Sequence, residues 1–269
     1  MSIVGQSSDR LRIALGAGCV YSVAAFAAAL DGGRVPDDPA ASVVPFCAAF
    51  ALGFVPWGRV ADRRGAGVAM RAACALLVLA GLVLCAPLGD AGWLAARALE
   101  GAAAAGFPPA AQAALAALGG TKGAGRAIGV MSVAVAVGSL LVPLLAGAVE
   151  SVASTQVVLA VCAVGLPALG LAAVAPVGRA ERAAAAPSSR LVPTPGLVAA
   201  WACAFLVLIA YWTIVTRAAV LLGPDAAGMT ETAARTVPLI GGVAGMVLTG
   251  LVARVGDRRG PRRPMIAVL

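Results

Sequence analysis

The sequence predicts an all-α protein that crosses a membrane many times. Its mean hydropathy is +0.96 and 61% of its residues are hydrophobic, whereas soluble domains are about 45–50% apolar. A spanning helix needs roughly 20 largely apolar residues, because each residue adds about 1.5 Å and the hydrocarbon core is about 30 Å thick. Eight such segments are predicted: Leu11–Leu30, Ser42–Gly58, Ala72–Leu88, Gly92–Leu118, Ala127–Val149, Thr155–Pro176, Leu197–Leu222 and Thr236–Ala253. A soluble core could enclose one or two of them, so the predicted fold class is a polytopic membrane helix bundle.

The distribution of arginine and lysine predicts the orientation of this bundle. If the N-terminus is cytoplasmic and the spans alternate, 16 of the 20 Lys and Arg residues fall in cytoplasmic segments, and two, Arg34 and Arg235, fall outside. The other two, Arg97 and Arg217, lie within spans. This is the positive-inside bias of membrane proteins. Topology therefore explains the net charge of +8 without nucleic-acid binding, and we expect a multi-pass protein of the bacterial inner (plasma) membrane with a cytoplasmic N-terminus.

The first span has an alternative interpretation as a cleaved secretory signal. Arg10 and Arg12 precede an apolar run that ends in the small residues Ala27–Ala29, as in a signal peptide with its cleavage site. The run is about 18 residues long, which is enough to span a bilayer, and seven further spans follow. We therefore expect an uncleaved first helix.

Composition and motifs exclude several chemistries. The chain has no histidine, so a histidine proton relay and a histidine metal site are both impossible. The six cysteines form no CxxC pair and are expected to be small buried residues. The segment GGTKGAG at Gly119–Gly125 lacks the Gly-Lys-Ser/Thr of a phosphate-binding loop. We expect no metal site, no cofactor and no enzymatic activity.

A charged segment occurs twice and indicates the domain organisation. RVADRRG at Arg59–Gly65 follows span 2, and RVGDRRG at Arg254–Gly260, 195 positions later, follows span 8. A shift of 195 residues is thus also a shift of six helices, which is typical of two parallel six-helix halves. The sequence predicts an N-terminal six-helix half (1–176), a polar cytoplasmic linker (177–196) and an incomplete C-terminal half (197–269) with helices 7, 8 and the start of 9. We expect the chain to be a C-terminally truncated form of a twelve-helix protein.

The first copy resembles the loop motif of the major facilitator superfamily. Gly58-Arg-Val-Ala-Asp-Arg-Arg-Gly65 resembles the pattern Gly-x-Leu-x-Asp-Arg-x-Gly, although Ala66 and Gly67 stand where basic residues usually follow. The second copy begins with Ala253 in place of the first glycine. The residues that the resemblance marks as a gating motif are Gly58, Asp62, Arg63, Gly65, Asp257, Arg258 and Gly260.

The resemblance implies that each motif aspartate holds a helix of the other half in one of two transport states. A carboxylate is stabilised by the free N–H groups and the partial positive charge of a helix N-terminus, and Asp257 is expected to face the start of span 5 near Gly125–Gly129. Gly65 and Gly260 permit backbone angles that other residues resist. The alternative is an ordinary basic loop that anchors the protein at the anionic leaflet.

Span 4 carries a second signature, Arg97-Ala-Leu-Glu100-Gly101, which resembles the family pattern Arg-x-x-Gln-Gly. A spacing of three residues places Arg97 and Glu100 on one helix face. Charges within a membrane are costly, so the two side chains should face the bundle interior and pair. The resemblance implies that they handle protons, with Glu100 as a coupling acid. The alternative is a self-neutralising pair that only positions the helix.

Span 5 carries a third signature. Its residues Gly129, Gly138, Pro143 and Gly147 have the spacing of the glycine-rich motif of drug:proton antiporters in this family. Glycine permits close helix approach and proline bends a helix. Span 8 presents Gly241 and Gly245 at small-xxx-small spacing, and we expect spans 5 and 8 to pack closely across the two halves.

The predicted function is secondary active transport, as proton-coupled efflux of a small molecule by alternating access. Its expected partners are the substrate, protons and the lipid bilayer, and we expect a monomer. Candidate substrate-cavity residues are Tyr21, Tyr211, Trp212 and Arg217, although aromatic residues and arginine also lie at membrane interfaces without a role in binding. The alternatives are gradient-driven uptake of a small organic solute and a non-transporting membrane remnant or scaffold.

Overall fold

The computed structural model describes the backbone of residues 3–30, 39–87, 89–150, 157 and 160–177, and seven isolated positions between 228 and 248. The described elements, in chain order, are α1 (Ile3–Leu30), α2 (Pro39–Arg64), α3 (Ala66–Leu84), α4 (Asp90–Ala104), α5 (Phe107–Glu150), a π-helical turn (Val161–Gly165) and α6 (Leu166–Val174). Within these ranges every element is helical, which confirms the prediction of an all-α bundle. The predicted linker and most of the predicted C-terminal half lie outside the described residues.

A single residue, Gly65, connects α2 to α3. Its N–H donates to the Ala61 carbonyl (2.9 Å) and closes α2, while its carbonyl accepts the N–H groups of Val68 and Ala69 (both 3.2 Å) and opens α3. Gly65 has φ +92° and ψ 149°, a backbone region that glycine alone adopts without strain. No described atom lies within 4 Å of a Cβ built on it. The connection therefore requires glycine for its backbone angles and not for lack of space.

The predicted fourth span is broken in the structure between α4 and α5. The Gly106 N–H donates to the Ala103 carbonyl, three residues back, at 3.1 Å. Pro108 and Pro109 follow at once and have no N–H with which to continue the α-helical pattern. The sequence predicts one continuous helix here because the segment is apolar throughout. Apolar content alone does not show that two prolines interrupt the backbone hydrogen bonds of the helix.

The long element α5 reverses direction along its length. Two residues of α5 that are far apart in sequence contact neighbouring residues of α1. The Phe107 ring lies 2.8 Å from a Cβ built on Gly16, and the Ala134 carbonyl lies 3.0 Å from a Cβ built on Gly18. A straight helix would separate residues 107 and 134 by about 40 Å, at about 1.5 Å a residue. The chain therefore turns back between Leu118 and Ala134, which gives the end of predicted span 4 and the start of predicted span 5.

Close contacts between helices occur where a glycine removes the side chain. The backbone of Phe46 on α2 lies where a Cβ of Gly101 on α4 would be, and the Ala163 carbonyl lies where a Cβ of Gly81 on α3 would be. Ala163 is in the π-helical turn, and its carbonyl loses its α-helical donor because the residue four positions on, Pro167, has no N–H. Small residues allow this approach of backbones in membrane bundles.

The outward faces of the helices are apolar. Leu52 and Val44 on α2 are 73% and 63% exposed, and Leu82 on α3 is 55% exposed. Contiguous apolar surface of this kind is rare on soluble proteins. Among the described residues, two helical segments, Val44–Arg64 and Ala66–Leu84, are long and apolar enough to cross a membrane.

Gly65→Ala is expected to lower the free energy of unfolding by about 1–3 kcal/mol, because alanine is strained at the backbone angles of Gly65. The measurement is unfolding of the purified protein in detergent by titration with a denaturing surfactant. Gly58→Ala is the matched control, since Gly58 lies within α2 and a Cβ there also meets open space among the described atoms. It is expected to raise stability by up to about 1 kcal/mol through helix propensity. Equal effects of the two substitutions would contradict the backbone explanation.

Candidate functional site: a buried ion pair between two helices

Arg97 and Glu100 of α4 form a buried ion pair. One guanidinium nitrogen, Nη1, donates to the carboxylate oxygen Oε2, and each side chain is 1% exposed. The spacing of three residues within α4 places both side chains on one face of the helix, and that face is covered by the rest of the bundle. The structure thus brings together the two residues that the sequence singled out in span 4.

The aromatic face of α2 covers the arginine. The Arg97 guanidinium carbon lies 4.9 Å from the centroid of the Phe46 ring, a cation–π distance. Phe46 stacks on Phe50, with centroids 5.9 Å apart and planes at 16°, and Phe50 meets Phe54 edge to face at 4.9 Å and 82°. These three phenylalanines lie four residues apart on α2, a helical spacing that is visible in the sequence.

The helix backbones approach so closely that little space remains beside the pair. Gly101, the residue after Glu100, lies directly against the backbone of Phe46. Gly53, two turns further along α2, would direct a Cβ to 3.3 Å from the Ala102 carbonyl. The contacts advance in the same direction along both helices, so α2 and α4 run parallel. The pair therefore lies buried in a close contact between two parallel helices.

This arrangement links the charge of Glu100 to the closure of the α2–α4 contact. While Glu100 is ionised, its charge offsets that of Arg97 within the buried contact. A proton on Glu100 would leave the arginine charge without its counterion in an apolar contact, which is strongly unfavourable. Addition of a proton would thus favour separation of the helices and entry of water.

The residues of the first charged loop lie at the end of α2. Asp62, Arg63 and Arg64 are exposed in its last turn, and Gly58 is one turn earlier on the same helix. The counterparts in the second copy, Asp257, Arg258 and Gly260, lie outside the described residues, as does any partner for Asp62 in the second half.

The glycine-rich segment of α5 packs on α1. Gly138 lies against Gly18 and Ser22, and Gly129 is buried. Pro143 and Gly147 belong to the helical backbone of α5. Among the described positions of predicted span 8, Gly241 and Gly245 are helical and exposed. The predicted contact between spans 5 and 8 stays a prediction, because span 8 lies largely outside the described residues.

Only one of the four candidate cavity residues is described. Tyr21 is half-buried on α1, where it packs against the apolar core. Tyr211, Trp212 and Arg217 lie outside the described part of the chain. Within that part, no group of three His, Cys, Asp or Glu side chains is placed to hold a metal ion.

Two arginines have a role that the sequence analysis did not identify. The Arg10 guanidinium on α1 donates to the Leu118 carbonyl, and the Arg71 guanidinium on α3 donates to the Val177 carbonyl at 2.6 Å. Both carbonyls lie where a span is predicted to end at the cytoplasmic side. The Val177 carbonyl follows the end of α6, where helix C-termini leave carbonyls without intrahelical donors, whereas Leu118 lies within α5. In the sequence analysis these arginines were counted only as topological charges.

Removal of one member of the ion pair should destabilise the protein more than removal of both. Glu100→Gln and Arg97→Met are each expected to lower the free energy of unfolding by about 3–5 kcal/mol, because each leaves a polar group or charge without its buried partner. The double variant should be less destabilised than the sum of the single variants, with a coupling of at least about 1 kcal/mol. Surfactant unfolding of the four proteins measures this cycle. Arg59→Met, at an exposed position on α2, is the control, and additive effects at 97 and 100 would contradict the pairing.

Comparison with protein families supports the resemblance noted in the sequence. The family model described as Major Facilitator Superfamily matches residues 39–269, and its members are transporters and not enzymes. No individually curated protein matches the chain.

Several solved structures have a similar fold. A bacterial homologue of the human drug peptide transporters PepT1 and PepT2 matches with a TM-score of 0.55 and 21% identity, over 90% of this chain and 54% of that one. The inward-open xylose transporter XylE from E. coli matches with a TM-score of 0.58 and 15% identity, over 94% and 70%. A peptide transporter in complex with sulfate matches with a TM-score of 0.51 and 17% identity, over 98% and 56%.

The chain therefore spans little more than half the length of the two peptide-transporter chains. At these identities the structures establish the fold alone. The family model covers most of the sequence and includes both copies of the charged loop. The helical bundle, the loop that ends α2 and the family match lead to one conclusion: the chain belongs to the Major Facilitator Superfamily.

Proposed function

We propose that the protein is a secondary active transporter that exports a small molecule in exchange for protons by alternating access. Its family is one of membrane-embedded transporters. The observation that carries the proposal is the Arg97–Glu100 pair, which is fully buried between α2 and α4. A charged pair without access to water is costly to keep within a membrane, and ionisable residues inside spans typically mark functional sites such as proton relays.

In this proposal Glu100 is the proton carrier and Arg97 sets when it releases the proton. A proton reaches Glu100 when the α2–α4 contact opens toward water on one side of the membrane. The proton leaves when the contact is open toward water on the other side and Arg97 returns to the carboxylate, after which Phe46 covers the pair again. Substrate and proton then compete for the open state, which is the minimum requirement for exchange.

The exposed aspartate at the end of α2 is proposed as a gate. Asp62 stands beside the exposed Arg63 and Arg64. In this position a helix N-terminus from the second half could stabilise its negative charge. Asp257 would act in the same way on the first half. Residues 1–176 and 197–269 would then rock as two units on the 177–196 linker, around a cavity that includes Tyr21, Tyr211, Trp212 and Arg217.

The orientation of the protein in the inner membrane is tested by cysteine labelling in intact cells. In a background without native cysteines, Asp37→Cys is expected to react with a membrane-impermeant maleimide, whereas Arg64→Cys should react only after the cells are opened. The charge distribution predicts this difference, because arginine-rich loops stay cytoplasmic. Labelling of both positions from the same side would contradict the proposed topology.

Transport is tested in proteoliposomes with an imposed pH gradient and a probe set of a pentose, a dipeptide and a cationic dye. Proton-driven export of one of these probes is expected, and Glu100→Gln should reduce that flux at least about 100-fold, as expected for loss of the group that carries the proton. Exchange of labelled for unlabelled probe without a gradient should persist in this variant, because it needs no proton release. Unchanged proton-driven flux would remove Glu100 from the mechanism.

Asp62→Asn provides the comparison that separates gating from coupling. Since both driven flux and exchange require the two halves to rock, this variant should lower both by a similar factor. Inward accumulation of a probe would indicate uptake in place of export. Absence of any flux or exchange from the folded wild-type chain would favour a non-transporting scaffold.

A further inference from the structure

Trp57, near the end of α2, makes a polar contact with the broken fourth span. Its indole Nε1–H donates to the Ala102 carbonyl of α4 at 2.8 Å. The two residues are 45 positions apart in sequence. The contact is therefore tertiary, and no motif of the sequence analysis includes Trp57.

The Ala102 carbonyl needs a donor because the helix is broken beside it. In a continuous α-helix it would accept the N–H of Gly106, four residues on. Here the Gly106 N–H turns to Ala103 instead. In the apolar interior of a membrane, water does not supply the missing bond, and each unsatisfied backbone group costs several kcal/mol. Trp57 supplies it.

The indole ring is also seated in the break. A Cβ built on Gly106 would lie 2.6 and 2.7 Å from ring atoms Cδ2 and Cε2 of Trp57, and a Cβ on Gly53 would lie 2.7 Å from the Cβ of Ala105. These separations are too short for real side chains. The absence of a side chain at Gly106 thus creates the space into which the ring fits, and its absence at Gly53 lets α2 approach Ala105.

The position of Trp57 connects two features that are separate in the sequence. Ala102 lies two residues after Glu100, and Trp57 lies two residues before Arg59, where the charged loop segment begins. We propose that Trp57 is a positioning residue: its bond to Ala102 latches the end of α4 against α2 and so keeps the Arg97–Glu100 pair closed. Movement of the last turn of α2, which carries Asp62, would release the latch through the end of this helix.

Two substitutions of Trp57 separate its hydrogen bond from its bulk. Trp57→Phe retains an aromatic ring and removes the N–H. Trp57→His retains a donor, because the imidazole Nε2 and the indole Nε1 are both two bonds from Cγ in a five-membered ring. A role in packing alone predicts that the larger phenylalanine is tolerated better than histidine, whereas the latch predicts the reverse.

The readout is the rate at which dicyclohexylcarbodiimide modifies Glu100. This reagent enters from the lipid phase and reacts with carboxyl groups, and mass spectrometry of the full-length protein in liposomes locates the adduct, with Glu100→Gln as the blank. Trp57→Phe is expected to raise the rate about tenfold, the change in the open population that about 1.4 kcal/mol produces, which is the size of a lost hydrogen bond. Trp57→His should stay within about twofold of wild type.

Gly106→Ala provides an independent variant, because its new methyl group would displace the ring without a change at Trp57. It is expected to raise the labelling rate as Trp57→Phe does, and the combination of Gly106→Ala with Trp57→Phe should add little to either change. Wild-type labelling rates in both Trp57→Phe and Gly106→Ala would overturn the latch. A Trp57→His rate as high as that of Trp57→Phe would also overturn it.

The inference rests on the proposed function only where it treats Glu100 as a coupling residue. The labelling experiment needs neither a substrate nor a pH gradient. Increased labelling in Trp57→Phe together with unchanged proton-driven flux in Glu100→Gln would leave the latch and remove proton coupling. Unchanged labelling in Trp57→Phe together with lost proton-driven flux in Glu100→Gln would overturn the latch and leave proton coupling at Glu100 in place.

Discussion

The contact between α2 and α4 is the constraint on which the rest of the site depends. In a bilayer interior, backbone groups must find partners within the protein because water is absent. Gly53 and Gly101 allow the two helices to approach until a tryptophan on one reaches a carbonyl on the other. The same approach places Phe46 over Arg97. A larger residue at either glycine would separate the helices, and both interactions would be lost together.

Three long side chains in the described helices each donate a hydrogen bond to a backbone carbonyl of a distant segment. Trp57 serves the carbonyl at the break of the fourth span, while Arg10 and Arg71 serve carbonyls where the fourth and sixth spans end. At each place a helix stops or bends, and a donor arrives from a helix distant in sequence. Arginine is suited to the ends of spans, where its remaining charge can reach water, and indole to the interior, where one neutral N–H is enough.

Much of the fold could be predicted from the sequence because length and apolar content identify membrane-spanning helices. The ion pair could be predicted too, since a charged pair three residues apart in a spanning helix has few alternatives to facing inward. The reversal within α5 is predicted as the boundary between spans 4 and 5, but the break at Gly106 and the position of Trp57 are not. Each depends on where a helix from elsewhere in the chain passes, and the high alanine content of these segments weakens the periodicity that would indicate their buried faces.

The one-residue connection at Gly65 leaves no slack between α2 and α3. Consecutive Cα atoms are separated by a fixed 3.8 Å, and the hydrogen bonds of Gly65 belong to both helices. A tilt of the Asp62 end of α2 is therefore expected to move the start of α3 with it. Arg71, within the first two turns of α3, would carry such a movement to the Val177 carbonyl that follows α6.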